Sequence, residues 1–380
     1  MGTLTEYSSS IEQWLYNCIR CGNCKYVFKE YGPSCPSGQH FFFETYFASG
    51  RLWIAHGIEK GELDWNDSLL EPIFACTTCG SCEEQCLSPH AKGIIDVIEE
   101  LRVLAVKNLG PLHAHKKFRD HIEAQHNPYG VDHHSRELVE KLGLPDKAPL
   151  VYFIGCTANY REKEIRDTTI SLLQKAGIDF TIVDEQCCSS PLNRTGQIDL
   201  VHDLAEHNLN EFERAGAQQI LTSCSGCYRT LTKDYPRLGK EIGLEVVHIS
   251  QFLRDLLQEG RLSPNQLEDE MKITWHDPCH LGRACKEYDA PREVISHLGV
   301  ELVEMENTRG NSWCCGAGGG ARSAFPDWSL ETSATRIVEA KKTGVSHLVS
   351  ACPFCKRNLT DSSDDSLEIL DLSELVDRLT

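Results

Sequence analysis

The chain has 380 residues, enough for two or three domains of ordinary size. Its 56 acidic and 38 basic residues give a formal charge of −18, which argues against a protein that binds nucleic acid with its own surface. No apolar stretch approaches the roughly 20 residues that cross a bilayer. The first residues carry neither a secretory signal nor a myristoylation motif. We therefore expect a folded, cytoplasmic protein that reaches a membrane only through a partner.

The chain contains 19 cysteines, and this number narrows its chemistry. Disulfide bonds are rare in reducing compartments, so this many thiols in a cytoplasmic protein indicate metal ligation or redox chemistry. Eighteen of the cysteines fall into patterned groups, and Cys285 stands apart from them. We expect Cys285 to be a buried apolar residue, with a substrate thiol or a resolving thiol as the alternatives.

Two cysteine runs in the N-terminal part repeat one pattern. In each run three cysteines follow at three-residue spacing and a fourth comes later: Cys18, Cys21, Cys24 and Cys35, then Cys76, Cys79, Cys82 and Cys86. In two-cluster ferredoxins the fourth cysteine of each run ligates the other cluster. The pattern therefore predicts two [4Fe–4S] cubanes: cubane 1 on Cys18, Cys21, Cys24 and Cys86, and cubane 2 on Cys76, Cys79, Cys82 and Cys35. Two zinc sites are the alternative, although zinc rarely needs three evenly spaced cysteines.

The segment between the two runs is longer than a small ferredoxin needs and is rich in aromatic residues. They lie in a helix-compatible stretch: Phe41, Phe42, Phe43, Tyr46, Phe47 and Trp53. We expect them to shield the clusters from water, which would tune the reduction potentials. An aromatic binding groove is the alternative.

Six histidines follow between residues 113 and 134: His113, His115, His121, His126, His133 and His134. None has the CxxC partner of a zinc site, and lysine, arginine and aspartate lie among them. We interpret residues 111–148 as a His-rich linker, either solvated or used as a partner-docking helix. It follows a ferredoxin-like domain over residues 1–110.

From about residue 149, short β-branched runs alternate with longer helical patterns. Strands are predicted over residues 151–155, 179–183, 219–222 and 245–249, and again over 272–275, 300–305, 347–350 and 367–370. Corresponding cysteines lie about 125 residues apart, so we infer a tandem duplication with copies over residues 149–262 and 270–380. The alternation of strands and helices in each copy predicts a parallel sheet wrapped by helices. The fold class is therefore mixed, α+β and α/β, with a helical N-terminal module.

Five cysteines of each copy follow predicted strand ends, where open parallel sheets bind ligands. They are Cys156, Cys187, Cys188, Cys224 and Cys227 in the first copy, and Cys279, Cys314, Cys315, Cys352 and Cys355 in the second. Five thiols exceed the four ligands of a plain zinc or cubane site. His276 and His280 flank Cys279, and they are candidates either for proton donation to a sulfur substrate or for supporting hydrogen bonds.

Motifs of both copies carry a resemblance to a known family. They are HDPCHLGR (276–283), CCGAGGG (314–320) and ACPFC (351–355) in the second copy, and FIGC, CCSSP and SCSGC in the first. The chain resembles iron–sulfur proteins with paired cysteine-rich CCG domains: the D subunit of heterodisulfide reductase and the iron–sulfur subunits of glycolate oxidase, anaerobic glycerol-3-phosphate dehydrogenase and the lactate-utilisation system. The resemblance implies a noncubane [4Fe–4S] cluster on each five-cysteine set. Ser189 replaces the family's glycine, which leaves zinc as an alternative in the first set.

The resemblance also implies an oxidoreductase subunit that is active within a complex. It would pass electrons through the two cubanes to the noncubane clusters, where a disulfide is reduced to two thiols. The electrons would be exchanged with another redox subunit: a flavoprotein, a membrane cytochrome or a ferredoxin. The alternative is a pure electron relay for a flavin-dependent 2-hydroxy-acid or acyl-CoA oxidoreductase. A third interpretation, from another class, is a non-enzymatic metal-binding scaffold.

Overall fold

The computed structural model of the chain describes residues 18–27, 32–88, 93–132, 135–240, 242–266 and 270–380. These residues form a helical N-terminal unit, a helical connection and two α/β units in series. Two histidines of the predicted linker, His133 and His134, lie outside the described residues.

The N-terminal unit is helical and has its own apolar core. Its helices are α1 (Pro36–Phe41), α2 (Ala48–Glu59), α3 (Leu70–Phe74), α4 (Ser81–Gln85) and α5 (Ile94–Leu109), with 3₁₀ turns at Asn23–Lys25, Glu44–Tyr46 and Asp67–Leu69. Apolar residues recur along α5 at helical spacing, as at Ile94, Ile98, Leu101 and Ala105, so one face of α5 packs against α2 and α3.

The connection to the sheets contains helices α6 (His113–Gln125) and α7 (Ser135–Leu142). His115 on α6 is fully buried, and its Nε2 lies 3.0 Å from the carbonyl oxygen of Gly320. Gln197 donates a hydrogen bond to the carbonyl of His115 at 3.1 Å. Burial lowers the pKa of His115 to about 4, so the ring is neutral. The expectation of a solvated linker is therefore wrong for His115, because this ring packs between α6 and the second α/β unit.

Each α/β unit contains a four-stranded parallel sheet, as the repeat predicts. The first sheet has the order β2-β1-β3-β4, with strands β1 (Leu150–Phe153), β2 (Phe180–Thr181), β3 (Gln219–Thr222) and β4 (Glu245–His248). The second has the order β6-β5-β7-β8, with strands β5 (Lys272–Trp275), β6 (Glu301–Leu302), β7 (His347–Ser350) and β8 (Glu368–Asp371). All the pairings between these strands are parallel, and the equal order supports a duplication.

Helices connect the strands in both units. In the first unit they are α8 (Cys156–Tyr160), α9 (Lys163–Lys175), α10 (Ser190–Arg194), α11 (Val201–Arg214), α12 (Ser225–Arg229), α13 (Tyr235–Arg237) and α14 (Ile249–Gln258). In the second they are α15 (Asp289–His297), α16 (Ala321–Ala324), α17 (Pro326–Lys342), α18 (Pro353–Asp361) and α19 (Leu372–Leu379). Shorter turns are 3₁₀ at Ile198–Leu200 and Arg309–Asn311, and π-helical at Thr230–Asp234 and His280–Ala284.

One apolar core runs through both α/β units. Helix α14 of the first unit packs against α15 of the second, and α9 of the first packs against α19 of the second. Leu253 on α14 and Val294 on α15 are both fully buried in this core. The two copies therefore form one folded body, although the sequence predicts them as separate repeats.

Only some residues of the aromatic segment in the N-terminal unit are packed against the protein interior. The rings of Phe41 and Tyr46 stack at 4.1 Å between centroids and pack against the second α/β unit. Phe42 and Phe43 are 80% and 72% exposed. The expectation that the whole segment covers the clusters is wrong for these two residues, because Phe42 has a φ of 63° and ends α1 in a turn at the surface.

The three units meet at the fully buried guanidinium of Arg102 on α5. Its N–H groups donate to five carbonyl oxygens: Ile73 (3.2 Å), Phe74 (3.1 Å) and Cys76 (2.7 Å) in the N-terminal unit, Arg194 (2.6 Å) in the first α/β unit and Gly319 (2.8 Å) in the second. The Arg102 side chain thus links the three units through its hydrogen bonds.

We predict that Leu253→Ala destabilises both α/β units together, because Leu253 lies in their shared core. Large-to-small changes at such sites cost about 2–5 kcal/mol. Val338→Ala is the control, since Val338 is 57% exposed and its loss should cost less than about 0.5 kcal/mol. Denaturant unfolding of the loaded protein, followed at separate tryptophan and far-UV signals, measures the difference. Two transitions in Leu253→Ala, only one of them shifted, would contradict a shared core.

The backbone at Ser189 adopts the left-handed region, with a φ of 70°. Its counterpart Gly316 in the second unit has a φ of 84°. A residue with a Cβ is strained there by about 1–2 kcal/mol, so the replacement of glycine by serine identified from the sequence carries a structural cost.

We predict that Ser189→Gly is more stable than Ser189→Ala by about 1 kcal/mol. Both variants lack the hydroxyl that donates to the Cys188 carbonyl, so their difference isolates the backbone strain. Thermal unfolding midpoints of the two variants, compared under identical loading, provide the measurement. Equal midpoints would show that the left-handed conformation is not strained at this position.

Candidate functional site

The structure brings the predicted ligands of cubane 1 together, and we call Cys18, Cys21, Cys24 and Cys86 the first tetrad. Burial raises the pKa of Cys86, and the neighbouring thiols of Cys21 and Cys18 raise it further. Burial likewise raises the pKa of Cys24, which has the same two neighbours. The last cysteine of the second run therefore lies with the first three of the first run.

The predicted ligands of cubane 2 also lie together, and we call Cys35, Cys76, Cys79 and Cys82 the second tetrad. Burial raises the pKa of Cys35 to about 12, and the nearby Cys76 and Cys79 contribute in the same direction. Burial raises the pKa of Cys82 as well, with Cys79 and Cys76 again close by. The backbone N–H of Thr78 donates to the Cys76 sulfur at 3.4 Å. The exchange of fourth ligands between the two runs agrees with this geometry.

The five cysteines of the first α/β unit, the first set, form a continuous chain of thiol contacts. Along this chain the neighbours are Cys156, Cys187, Cys188, Cys227 and Cys224. All but Cys156 are buried. Strands β1 and β3 deliver Cys156 and the Cys224–Cys227 pair to the same edge of the sheet, as parallel strands do at their carboxyl ends.

The five cysteines of the second α/β unit, the second set, repeat this order of contacts. The neighbours along the chain are Cys279, Cys314, Cys315, Cys355 and Cys352. The backbone N–H of Gly316 donates to the Cys314 sulfur at 3.3 Å. Duplication has therefore preserved the arrangement of the five thiols as well as their spacing.

Two further thiol contacts join the separate groups. Cys79 of the second tetrad contacts Cys314 of the second set. Cys224 of the first set contacts Cys352 of the second. The thiols of the second tetrad, the second set and the first set therefore form one connected series, in which the second set lies in the middle.

Local structure explains how the sulfurs of the first set are presented. Gly155 has a φ of 79°, and a Cβ at this position would lie 2.9 Å from the Cys227 sulfur. The buried carboxylate of Glu185 accepts hydrogen bonds from the N–H groups of Ile154 and Gly155, both at 2.8 Å, and so holds the turn before Cys156. Burial raises the pKa of Glu185 to about 8.

Helix N-termini present two of the cysteine pairs. Cys224 precedes α12 and Cys352 precedes α18, and the second cysteine of each pair lies in the first turn of its helix. The positive end of a helix dipole and its free N–H groups stabilise thiolates at these positions.

His276 supports the second set and does not line the cavity described below. The ring is buried, and Arg336 donates from Nε to its Nδ1 at 3.3 Å. Because arginine only donates, Nε2 must carry the ring proton. A ring nitrogen of His276 and the sulfurs of Cys315 and Cys355 lie within 4.8 Å of one another. Nε2 is buried without a hydrogen-bond partner among the described residues, and His276 is absent from the cavity wall, which disfavours proton donation to a substrate there.

A cavity of about 420 Å³ opens between the two five-cysteine sets. Its volume lies within the range of small-molecule sites. The cysteines that line it are Cys156, Cys187, Cys188, Cys224, Cys227, Cys279, Cys315, Cys352 and Cys355. Four arginines also line it: Arg161, Arg194, Arg322 and Arg357.

His280 lines this cavity and accepts a hydrogen bond from Arg229 at Nε2 (3.2 Å). Arginine only donates, so the ring proton of the neutral ring lies on Nδ1. Burial lowers the pKa of His280 well below its usual range, and Arg229 and Arg194 act in the same direction. His280 is therefore a neutral hydrogen-bond donor at the wall of the cavity.

The thiol groups fit iron–sulfur clusters, and the five-cysteine sets fit them better than zinc. The two tetrads supply four thiols each, as a cubane requires. Each five-cysteine set, by contrast, places one more thiol in contact than a tetrahedral zinc ion binds. Nη2 of Arg283 is buried without a hydrogen-bond partner among the described residues, beside Cys79, Cys279 and Cys314. It is a donor suited to an anionic sulfur centre.

Sequence reasoning missed the arginines that surround these thiols. Arg283 belongs to the HDPCHLGR motif, but the motif alone gives it no role. Arg51 and Arg102 have no sequence signal, since an isolated arginine in a helix is usually a solvated residue. Cys285 lies apart from the thiol groups, with its sulfur 3.9 Å from the Thr232 hydroxyl.

Comparison with family models matches most of the chain. Residues 14–88 match a 4Fe-4S dicluster domain, and residues 150–232 and 273–360 each match the cysteine-rich CCG domain. These matches support iron–sulfur clusters in the N-terminal unit and in the two cysteine-rich units.

Named relatives align with nearly the whole chain. The D subunit of the dihydromethanophenazine:CoB–CoM heterodisulfide reductase of Methanosarcina acetivorans is 37% identical over 95% of this chain and 93% of its own length. The B subunit of the fumarate reductase (CoM/CoB) of Methanothermobacter marburgensis is 35% identical over 96% of this chain and 72% of its own. The EtfAB:quinone oxidoreductase of Syntrophomonas wolfei is 30% identical over 95% of this chain and 58% of its own.

A solved structure shares the fold at low sequence identity. A hypothetical protein from Helicobacter pylori superposes with a TM-score of 0.57 at 11% identity, over 98% of this chain and 73% of that one. Among the described residues, none of the helices is both long and apolar enough to span a membrane. The dicluster domain, the paired CCG domains and the near full-length relatives together place the chain in the family of the heterodisulfide reductase D subunits, as an iron–sulfur subunit of an oxidoreductase.

Proposed function

We propose that the chain exchanges electrons with a small disulfide in the cavity between the first and second sets. Cleavage of the sulfur–sulfur bond takes two electrons, and each sulfur then takes up one proton to give two thiols. The observation that carries the proposal is the cavity itself, which is lined by cysteines of both sets. Two redox centres that face one cavity suit this reaction, because each centre can deliver one of the two electrons that cleave the sulfur–sulfur bond.

The assignment of ligands supports this function. The first and second tetrads would each hold a [4Fe–4S] cubane, and each five-cysteine set would hold a noncubane [4Fe–4S] cluster. When bound, the clusters supply and accept single electrons. The connected thiol series, with contacts at Cys79–Cys314 and Cys224–Cys352, supports a path from the N-terminal unit through the second set to the first.

The side chains of the cavity would orient the substrate. Nδ1 of His280 carries a proton and can donate a hydrogen bond to a sulfur of the disulfide or thiol. Arg161 follows the end of α8 and Arg357 lies within α18, and both line the cavity. Among the described residues, the carboxylate that pairs with Arg357 is that of Glu162, at 3.9 Å. We therefore propose an anionic disulfide, carrying carboxylate, sulfonate or phosphate groups.

Partner subunits would supply the electrons. A flavoprotein, a membrane cytochrome or a ferredoxin would donate to the first tetrad, and a cytochrome would place this cytoplasmic subunit at the membrane surface. A pure relay is the second candidate function. The similarity to an EtfAB:quinone oxidoreductase favours it, as does the strained serine in the first set.

We predict that the loaded protein reduces an anionic disulfide when a reduced viologen dye supplies electrons, and that Arg357→Gln raises the KM about tenfold with kcat retained. One lost charge-assisted hydrogen bond accounts for this factor. Arg378→Gln is the control, because Arg378 pairs with Glu368 and does not line the cavity. An equal rise of KM for a neutral disulfide would contradict an anion contact, and absence of turnover in the wild type would favour the relay.

We predict about 16 irons per chain in anaerobically purified protein, four for each of four clusters. Cys315→Ser should lose about four of them, because Cys315 lies at the centre of the second set. Cys285→Ser is the matched control and should lose none, since Cys285 lies outside the thiol groups. Iron and sulfide analysis with EPR spectra measures both. About 8 irons with only cubane signals would contradict the noncubane clusters.

A further inference from the structure

The buried arginines of the chain fall into two groups. Three pair with carboxylates: Arg194 with Glu99 and Asp234, Arg229 with Glu99, and Arg336 with Glu339. In the part of the chain that the structure describes, three others have no carboxylate within ion-pair distance: Arg51, Arg102 and Arg283. Their exposed fractions are 1%, 0% and 6%. The second group therefore buries positive charge without a protein anion.

All three unpaired guanidinium groups lie beside the second tetrad. Each acts electrostatically on a different cysteine: Arg51 on Cys35, Arg102 on Cys76, and Arg283 on Cys79. Carbonyl oxygens accept most of their hydrogen bonds. Carbonyl dipoles satisfy N–H groups but do not cancel a buried charge. The arrangement therefore needs a nearby anion.

A cluster on the second tetrad would supply that anion. Four thiolates outweigh the positive charge of an iron–sulfide core, and reduction adds a further negative charge. A buried cation without a counterion is strongly unfavourable, so cluster and arginines stabilise each other. Because the reduced cluster is the more negative one, nearby positive charge favours reduction and raises the reduction potential.

Arg283 occupies a special position among the three, because it lies between two sites. Its Nε donates to the carbonyl of Cys79 at 2.7 Å, and its Nη1 donates to the carbonyls of Gly310 (3.1 Å) and Ser312 (2.6 Å). The guanidinium thus bridges the second tetrad and the loop that leads to Cys314 of the second set. Nη2 is buried without a hydrogen-bond partner among the described residues.

We propose that Arg283 is a positioning residue for electron transfer, a shared counterion that raises the reduction potentials of the second tetrad and the second set together. If the reduction potential rose at only one of these two clusters, electron transfer between them would become unfavourable in one direction. A single positive charge between the two clusters raises both potentials and so avoids this. The inference rests on the proposed cluster occupancy, but not on the identity of a disulfide.

EPR-monitored redox titration of the loaded protein tests the proposal with two Arg283 variants, one control variant and two variants that assign the signals. Arg283→Gln removes the charge but keeps hydrogen-bond donors, and Arg283→Lys keeps the charge but loses the planar fork. Arg261→Gln is the matched control, because Arg261 also donates to carbonyls, those of Ala176 and Gly177, at an exposed position. Cys24→Ser and Cys82→Ser assign the cubane signals to their tetrads.

We expect Arg283→Gln to lower the midpoint potentials of the second tetrad and the second set, with a smaller shift at the first tetrad. Arg283→Lys should shift them less, and Arg261→Gln should not shift them. Loss of the cluster in Arg283→Gln but not in Arg283→Lys also supports a need for the charge.

Unchanged potentials in Arg283→Gln would overturn the proposal, as would equal cluster loss in both Arg283 variants. Absence of cubane signals in the wild type would overturn the cluster assignment, and the proposal with it. A protein with shifted potentials but no disulfide turnover would contradict only the proposed substrate.

Discussion

The architecture depends on burial of the Arg102 guanidinium at the junction of three units. Five carbonyl oxygens from the N-terminal unit and both α/β units converge on it. The three units present to Arg102 segments that also carry or adjoin the cysteine groups. They are Cys76 in the N-terminal unit, the end of α10 in the first α/β unit, and the glycines after Cys314 and Cys315 in the second. Desolvation lowers the pKa of Arg102 to about 10, which leaves it charged at neutral pH. Its hydrogen bonds therefore stay charge-assisted, and they hold the cysteine groups in register.

Close packing at this junction explains why glycine occupies positions 318 to 320, the glycine run after Cys314 and Cys315. A Cβ at Gly318 would lie 2.7 Å from the Thr77 carbonyl oxygen, and one at Gly319 would lie 2.4 Å from that of Cys76. At Gly320 it would meet the ring of His115 at 2.4 Å. The run is thus where the second α/β unit touches the N-terminal unit backbone to backbone. The contact between Cys79 and Cys314 exists because this approach is so close.

Much of the fold was predictable from the sequence because its signals are local. Strand runs such as 219–222, 272–275 and 347–350 coincide with β3, β5 and β7, and cysteines follow them as expected. The shared core of the two units was not predictable, since an amphipathic helix such as α14 presents the same pattern whichever sheet it covers. The burial of His115 and Arg102 was not predictable from the sequence either. Polar residues are usually exposed, and these two are buried by packing between segments that are far apart in the chain.

The two sets share one order of thiol contacts, yet their surroundings differ because the N-terminal unit docks asymmetrically. Two residues after the last cysteine of each set stands an arginine, Arg229 in the first unit and Arg357 in the second. Helix α5 supplies Glu99 to Arg229, which is buried and bound to His280.

Arg357 receives no such partner from α5 among the described residues, and it lies at the cavity instead. The residue after the first cysteine also differs: Thr157 in the first set and His280 in the second. A cavity between two sets with the same order of thiol contacts thus has chemically unequal ends, so the two sulfurs of the proposed disulfide would meet different side chains.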